Sequence, residues 1–326
     1  MMERFARDIT DGSYAPSFFT IRIPNAENYE HLLTGNRLSD SAEAYFLHEY
    51  IHFLQDLTTI PGLSNIGIVV DYMKWATHQG KDGRLKVPCN PTCQDGYNLY
   101  PNLRLGEARI GQGKLKENGA DVLIASISKV SLNPLTIHAD GRCFNQINTI
   151  VSFEDSNGKI WDYSLGEHAI SECMAYTIEQ LLYPEVLSKG ADCPYSIVLH
   201  VCDKEIPGFS TDKTKVIALC DACLMFSFPG GRFQLAIDIL KHVDYNSLTA
   251  EEVFDLLVDN PRLHEAEHIN KHKIGILEHF ESYSTLAAKQ LSDYFTTANY
   301  DNEKDFSVLM LYASRQIRKG NPHFFS

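Results

Sequence analysis

The residues best suited to chemistry stand together in the segment His48-Glu49-Tyr50-Ile51-His52. If the segment is helical, His48 and His52 lie one turn apart on the same face, so both imidazoles can bind one tetrahedral metal ion. Glu49 is rotated by about 100° around the helix axis, where its carboxylate can accept a proton from a metal-bound water. The spacing predicts a metal site with Zn²⁺ as the expected ion and Glu49 as general base.

A helix over residues 40–57 must position this motif. Asp40 is predicted to cap it, Glu43 to complete a capping box, and Pro61-Gly62 to end it. No Lys or Arg occurs between residues 40 and 57. The predicted apolar side comprises Phe46, Leu47, Tyr50, Phe53, Leu54 and Leu57, and the polar side Ser41, Tyr45, His48, His52, Gln55 and Asp56. We expect the apolar side to pack and the polar side to line a cleft; the alternative is an ordinary polar face that happens to carry two histidines.

A catalytic zinc needs a third protein ligand and an open fourth position for water. The richest segment for that ligand is 165–179, whose polar side as a helix carries His168, Glu172, Tyr176 and Glu179. Glu172 is the preferred third ligand. Glu167, which points nearer the apolar side, and His168 are the other options, and a solvated polar face is the remaining interpretation.

Further roles can be assigned from the same helical faces. Tyr176, His168 and Tyr45 are the candidates for stabilising a developing oxyanion across the cleft, with simple packing as the alternative for each. Glu179 or Asp56 can orient a ligand imidazole through its second ring N–H.

The motif resembles the active-site helix of the zincin metallopeptidases of the gluzincin type. In that family two histidines come from an HExxH helix and a glutamate comes from a later helix. The matching residues are His48, Glu49, His52 and, more loosely, Glu172 followed by Ala175 and Tyr176. The resemblance implies a zinc hydrolase that cleaves peptide bonds in a peptide or protein substrate.

A second match to the same pattern is His264-Glu265-Ala266-Glu267-His268, with His272 one turn further on. Active-site helices of this kind are embedded in the protein, whereas Glu267 and the nearby Lys271 favour an exposed helix. We expect a solvated His/Glu face; a catalytic motif and an adventitious or regulatory metal site are the alternatives.

Eight cysteines in 326 residues are too dilute for a disulfide scaffold, so we expect reduced thiols that serve as small core residues. A four-thiolate zinc site formed by Cys89, Cys93, Cys220 and Cys223 is the less favoured alternative.

Composition is that of a globular protein, with 44% hydrophobic and 22% charged residues. A formal charge of −13 argues against nucleic acid and anionic membrane as partners. The N-terminus lacks the apolar core of a signal peptide and no apolar stretch is long enough to span a bilayer, so a cytoplasmic protein is expected. The segment 80–119 is rich in turn residues and is a candidate lid or inhibitory loop, which leaves room for a regulatory protein partner.

The pattern of elements predicts an α+β protein, mainly helical with a small N-terminal and central sheet. A strand is expected over 17–23, and a hairpin over 151–155 and 159–163 around Ser156-Asn157-Gly158. Helices are expected over 63–78, 167–183, 194–204, 212–226, 231–243, 250–258, 262–298 and 303–318, with a capping box between Thr249 and Glu252. We divide the chain into an α+β part, 1–165, and a helical part, 166–326.

These expectations favour a zinc metallopeptidase. One alternative is a non-catalytic helical interaction protein in which zinc is structural or absent. Another keeps the zinc-activated water but directs it at an electrophile other than a peptide bond.

Overall fold

A computed structural model describes residues 13–15, 20–22, 39–78, 105–139, 142–186 and 191–258, together with residues 278, 281, 285 and 289. The first part contains a two-stranded antiparallel pair, β1 (Ser13–Ala15) and β2 (Thr20–Arg22), and two helices, α1 (Asp40–Thr58) and α2 (Ile60–His78). The strand expected over 17–23 is confirmed for Thr20–Arg22, while residues 17–19 and 23 lie outside the described ranges, and its partner β1 was not predicted.

Helix α1 begins one residue earlier than the predicted cap implied. Ser39 is the N-cap, and its side chain accepts a hydrogen bond from the backbone N–H of Ala42 at 3.3 Å. The prediction of Asp40 as cap was wrong because Ser39 can do the same work one position earlier, which leaves Asp40 as an acidic residue in the first turn. The carboxylate of Glu43 accepts a hydrogen bond from the Tyr183 hydroxyl at 3.1 Å.

The break between α1 and α2 is a single residue, Thr59. The prediction that α2 starts at residue 63 was wrong, because Pro61 is tolerated in the first turn of a helix, where its missing N–H has no partner to lose. Gly62 is required by a close approach: a Cβ there would lie 2.4 Å from the backbone oxygen of Gln55. The start of α2 is therefore pressed against the backbone of α1 beside the motif.

The central sheet has three antiparallel strands in the order β5 (Ile124–Ala139), β6 (Arg142–Asp155) and β7 (Ile160–Leu165). A small pair, β3 (Lys116–Glu117) and β4 (Ala120–Asp121), precedes it. The β6–β7 hairpin confirms the predicted turn. Its carboxylate Asp155 Oδ1 accepts from the N–H groups of Asn157 and Lys159, and Gly158 takes the positive φ of 82° that the turn requires.

The chain then becomes helical. The helices are α3 (Glu167–Leu182), the short α4 (Asp192–Tyr195), α5 (Ile197–Glu205), α6 (Lys213–Leu224), α7 (Pro229–Leu240) and α8 (Ala250–Val258), with a 3₁₀ turn at Phe209–Thr211. The predicted capping box is confirmed: the Glu252 carboxylate accepts from the Thr249 N–H at 2.7 Å, and the Thr249 hydroxyl accepts from the Glu252 N–H at 3.2 Å. The helices predicted over 262–298 and 303–318 lie outside the described ranges apart from four isolated helical positions.

Helix α3 is the centre of the structure and is buried along most of its surface. It packs against α1 on one side and α6 on the other. One cluster of buried apolar side chains runs through α1, the sheet, α3 and α5–α8, so residues from both predicted parts of the chain contribute to it. The mixed architecture confirms the α+β prediction. Among the described helices, none combines the length and apolar character needed to cross a bilayer.

The described end of the predicted lid segment is bonded to the sheet. The Gln112 backbone N–H donates to the Ser164 oxygen at 2.8 Å, and the Gln112 oxygen accepts from the Tyr163 hydroxyl at 2.6 Å. Residues 80–104 of that segment lie outside the described ranges. The lid prediction therefore stays a prediction for residues 80–104, while residues 105–115 are part of the packed structure.

Candidate metal centre

The HExxH segment is helical, as its spacing predicts, and lies within α1. Leu47, Ile51 and Leu54 are buried on the packed side of the helix. His48 and His52 lie on the neighbouring face of the helix, which meets α3, and retain 12% and 17% side-chain exposure. The two imidazoles are thus held by a rigid helix while keeping a small opening towards solvent.

The polar side of α3, which the sequence analysis considered as a possible solvated face, is buried. His168, Glu172 and Glu179 are each at most 5% exposed, and Tyr176 is 8% exposed. Carboxylates are rarely buried without partners, because losing water costs an isolated charge several kcal/mol. The partners here are the histidines of α1. The polar sides of α1 and α3 therefore face each other inside the protein.

His48, His52 and Glu172 converge on one point. Glu172 Oε2 lies 3.2 Å from His48 Nε2 and 3.2 Å from His52 Nε2, and the two ring nitrogens are 3.3 Å apart. Among the described residues, this is the one group of three or more His, Cys, Asp or Glu side chains whose ligand atoms could hold a metal ion together. The structure therefore brings together the three residues that the sequence analysis favoured as ligands.

The separations of the donor atoms test whether a zinc ion fits. Donors bound to one ion at about 2.0–2.1 Å are about 3.3–3.4 Å apart in a tetrahedral site and about 2.8–3.0 Å apart at adjacent octahedral positions. The observed 3.2–3.3 Å lies close to the tetrahedral value. Two imidazoles and a carboxylate are also a donor set that zinc uses in catalytic sites. The residues present fit zinc.

In each of the three candidate ligands, the polar atom that does not face the other two ligands contacts a further side chain. Glu179 Oε2 lies 3.0 Å from His48 Nδ1, and Gln55 Oε1 lies 2.8 Å from His52 Nδ1. His168 Nδ1 lies 3.4 Å from Glu172 Oε1, the oxygen that does not face the other two donors. Glu179 is one of the two carboxylates that the sequence analysis nominated for this role, whereas Gln55 occupies the position on His52 instead of Asp56.

The charges of the site are strongly coupled. Burial by itself lowers the pKa of His48, but hydrogen bonds and charge attraction from Glu172 and Glu179 outweigh it and raise the pKa to about 10. Burial opposes ionisation of Glu172 as well, yet His52, His48 and His168 hold the pKa of its carboxyl well below its usual range. In the metal-free protein at neutral pH, His48 is therefore a cation between two carboxylates, and a metal ion must replace its Nε2 proton.

The other nominated residues are distributed around this group. Glu49 is half-buried on α1. Tyr176 packs its ring against that of Tyr195, with centroids 5.8 Å apart, and Tyr45 is 37% exposed. Tyr195, on α4, was missed by the sequence analysis, although its ring lies 6.1 Å from that of His48. No sequence signal links residue 195 to the motif, because only the packing of α4 against α3 brings them together.

Glu167, the other carboxylate considered as third ligand, has a different partner. Its Oε2 accepts from Arg109 Nε at 2.8 Å and its Oε1 from Asn65 Nδ2 at 2.9 Å. Arg109 also donates to Asn65 Oδ1 at 2.5 Å and is 6% exposed. This buried ion pair ties the chain around residue 109 to α2 and to the first turn of α3, and it involves none of the three converging donors.

The remaining candidate motifs from the sequence analysis are either buried in the core or lie outside the described ranges. The six described cysteines are free thiols, and Cys220 and Cys223 lie in the core. A hydrogen bond with Cys173 and burial raise the pKa of the Cys220 thiol, and burial raises that of Cys223. Their burial supports the packing interpretation. Cys89, Cys93 and the second HExxH segment, His264–His268, lie outside the described ranges.

Comparison with known proteins does not assign the chain to a family. No family model, no curated protein and no solved structure matches the chain.

Proposed function

We propose that the protein is a cytoplasmic zinc metallopeptidase in which His48, His52 and Glu172 hold the ion and Glu49 is the general base. The observation that carries the proposal is the convergence of His48 Nε2, His52 Nε2 and Glu172 Oε2 at separations of 3.2–3.3 Å. These three atoms come from two helices whose motif residues are more than a hundred positions apart in the chain. The six cysteines in the described ranges are free thiols, which fits a reducing compartment.

Zinc held by three protein ligands supplies a water of lowered pKa and polarises a substrate carbonyl. The chain's own residues supply the rest. Glu49, on the same helix as the two histidines, accepts the proton of the attacking water and delivers it to the leaving amine. Tyr195, whose ring lies 6.1 Å from that of His48 and packs against Tyr176, is placed to contact an apolar part of a bound substrate.

The partial exposure of the two histidines favours a catalytic zinc site over a purely structural one. Structural sites are closed by four protein ligands, whereas here three donors converge and the imidazoles keep 12% and 17% exposure. The net charge of −13 further favours neutral or basic peptides over acidic ones as substrates.

The test is Glu49→Gln, assayed for zinc content and for hydrolysis of a broad peptide library. We expect the variant to hold zinc like the wild type and to lose at least about a hundredfold in turnover, the range attributed to a general base. Glu43→Gln is the matched control, since Glu43 lies on the same helix and its carboxylate bonds to Tyr183. Undiminished hydrolysis by Glu49→Gln with normal zinc content would reject the proposed role of Glu49.

A further inference from the structure

Gln55 stands between the two helices that form the metal centre. It is 4% exposed, lies three residues after His52 on α1, and uses both ends of its side-chain amide. Oε1 lies 2.8 Å from His52 Nδ1, and Nε2 donates to the backbone oxygen of Ser171 on α3 at 3.1 Å. Ser171 immediately precedes Glu172, so a single side chain contacts one ligand and the backbone next to another.

The orientation of this amide is determined by its partner on α3. A backbone carbonyl can only accept a hydrogen bond, so the end of the Gln55 side chain facing Ser171 O must be the NH₂ group. The carbonyl end then faces His52 Nδ1, and a carbonyl can only accept. His52 must therefore carry a proton on Nδ1, which leaves Nε2 as the nitrogen that faces Glu172 and His48.

The backbone of Gln55 is fixed as firmly as its side chain. Its oxygen accepts from the Thr59 N–H at 3.0 Å and from the Thr59 hydroxyl at 2.7 Å. Gly62 packs so close to the same oxygen that no Cβ could fit there. The backbone at Gln55 is therefore held in place, and the side-chain contacts to His52 and to Ser171 set the orientation of the amide.

We propose that Gln55 is a positioning residue that selects the Nδ1–H tautomer of His52 and couples the HExxH helix to the helix carrying Glu172. The inference rests on the proposed metal site and adds to it a residue outside the HExxH pattern. It also explains why an amide is present: a carboxylate at this position would place its negative charge against the oxygen of Ser171.

The experiment compares three variants by zinc affinity, measured in competition with a chelator, and by NMR of the His52 ring nitrogens in the metal-free and zinc-loaded protein. Gln55→Leu removes both contacts. We expect it to lower zinc affinity 10–100-fold, the range found when a side chain supporting a ligand is removed. We also expect the slowly exchanging Nδ1–H signal of His52 to disappear.

Gln55→Glu separates the two roles. Its carboxylate can still accept from His52 Nδ1 but cannot donate to Ser171 O. We expect this variant to keep the Nδ1–H signal and most of the zinc affinity while melting at a lower temperature than the wild type. Gln234→Leu is the matched control for removing a buried glutamine, since Gln234 is 8% exposed on α7 and donates to Asp238 on its own helix.

The outcomes distinguish this inference from the proposed function. If the wild type fails to bind zinc, the metal site itself is rejected and the positioning role is rejected with it. If the wild type binds zinc and Gln55→Leu binds it equally well, or keeps the Nδ1–H signal of His52, the metal site stands and the role of Gln55 is overturned. If Gln55→Leu does not fold, Gln55→Glu still tests the inference: loss of the Nδ1–H signal of His52 in that variant would overturn it.

Discussion

Raising the pH should lower the free energy of unfolding of the metal-free protein, because His48 then loses its proton. Its ring nitrogens face the carboxylates of Glu179 at 3.0 Å and Glu172 at 3.2 Å. Burial lowers the pKa of His48, but these two carboxylates outweigh burial and raise the pKa to about 10. Because the folded-state pKa lies above the ordinary value of 6.5, the stabilisation is complete below about pH 6.5 and is lost as the pH rises through about 10.

The size of the effect follows from the shift. Each pKa unit corresponds to about 1.4 kcal/mol, so a rise from 6.5 to about 10 corresponds to about 5 kcal/mol in full. Integrating the difference in proton uptake between the unfolded and folded states predicts that the free energy of unfolding falls by about 3 kcal/mol between about pH 6.5 and about pH 9. The side chain of His48 is only 12% exposed, so solvent screening reduces this value little.

Urea unfolding of the metal-free protein at those two pH values measures the effect. The wild type should lose about 3 kcal/mol more in free energy of unfolding than His48→Gln does, because titrations of groups distant from His48 cancel in the comparison. Glu179→Gln removes one of the two carboxylates and should give a smaller loss than the wild type. An equal pH response in the wild type and His48→Gln would refute the ion-pair reasoning.

Three further predictions concern the metal and its surroundings. Zinc at a hundredfold excess over its dissociation constant should raise the free energy of unfolding by about 3 kcal/mol, which chelator titration with thermal melting can check; no shift would argue against a folded-state site. Glu172→Gln should reduce zinc affinity more than tenfold, by removing the negative charge between two imidazoles, while the circular dichroism spectrum is unchanged; wild-type affinity would exclude Glu172 as a ligand. Arg109→Met should destabilise the protein by about 3–5 kcal/mol, because it leaves the buried Glu167 carboxylate without its cation, and adding Glu167→Gln should recover part of the loss. Equal stability of the single and double variants would contradict that account.

The sequence predicted well those features that depend on neighbouring residues. The HExxH helix, the Thr249–Glu252 capping box and the turn around Gly158 are each specified by side chains within a few positions of one another. The errors at the start of α1 and α2 also have local causes, since Ser39 and Asp40 are both good caps and Pro61 suits either a break or a first turn.

The long-range part of the site could be predicted only as a set of options. The polar side of α3 offered several candidate ligands, and only its packing against α1 places Glu172 at the histidines and Glu167 at Arg109. Gln55 and Tyr195 were not assigned roles, because an amide contact to another helix and a ring contact from α4 leave no spacing pattern in the chain. Helical periodicity fixes which face a residue occupies, but tertiary packing decides what that face meets.

The central claim is that His48, His52 and Glu172 together bind a zinc ion, and elemental analysis tests it most directly. The protein is purified without added metal, and zinc per chain is compared among wild type, His52→Ala and His200→Ala. His200 serves as control because its ring contacts Asp192 instead of the candidate ligands. We predict about one zinc per chain in the wild type and His200→Ala, and almost none in His52→Ala. Equal zinc in His52→Ala and wild type, or no zinc in a wild-type protein that has been offered it, would contradict the account.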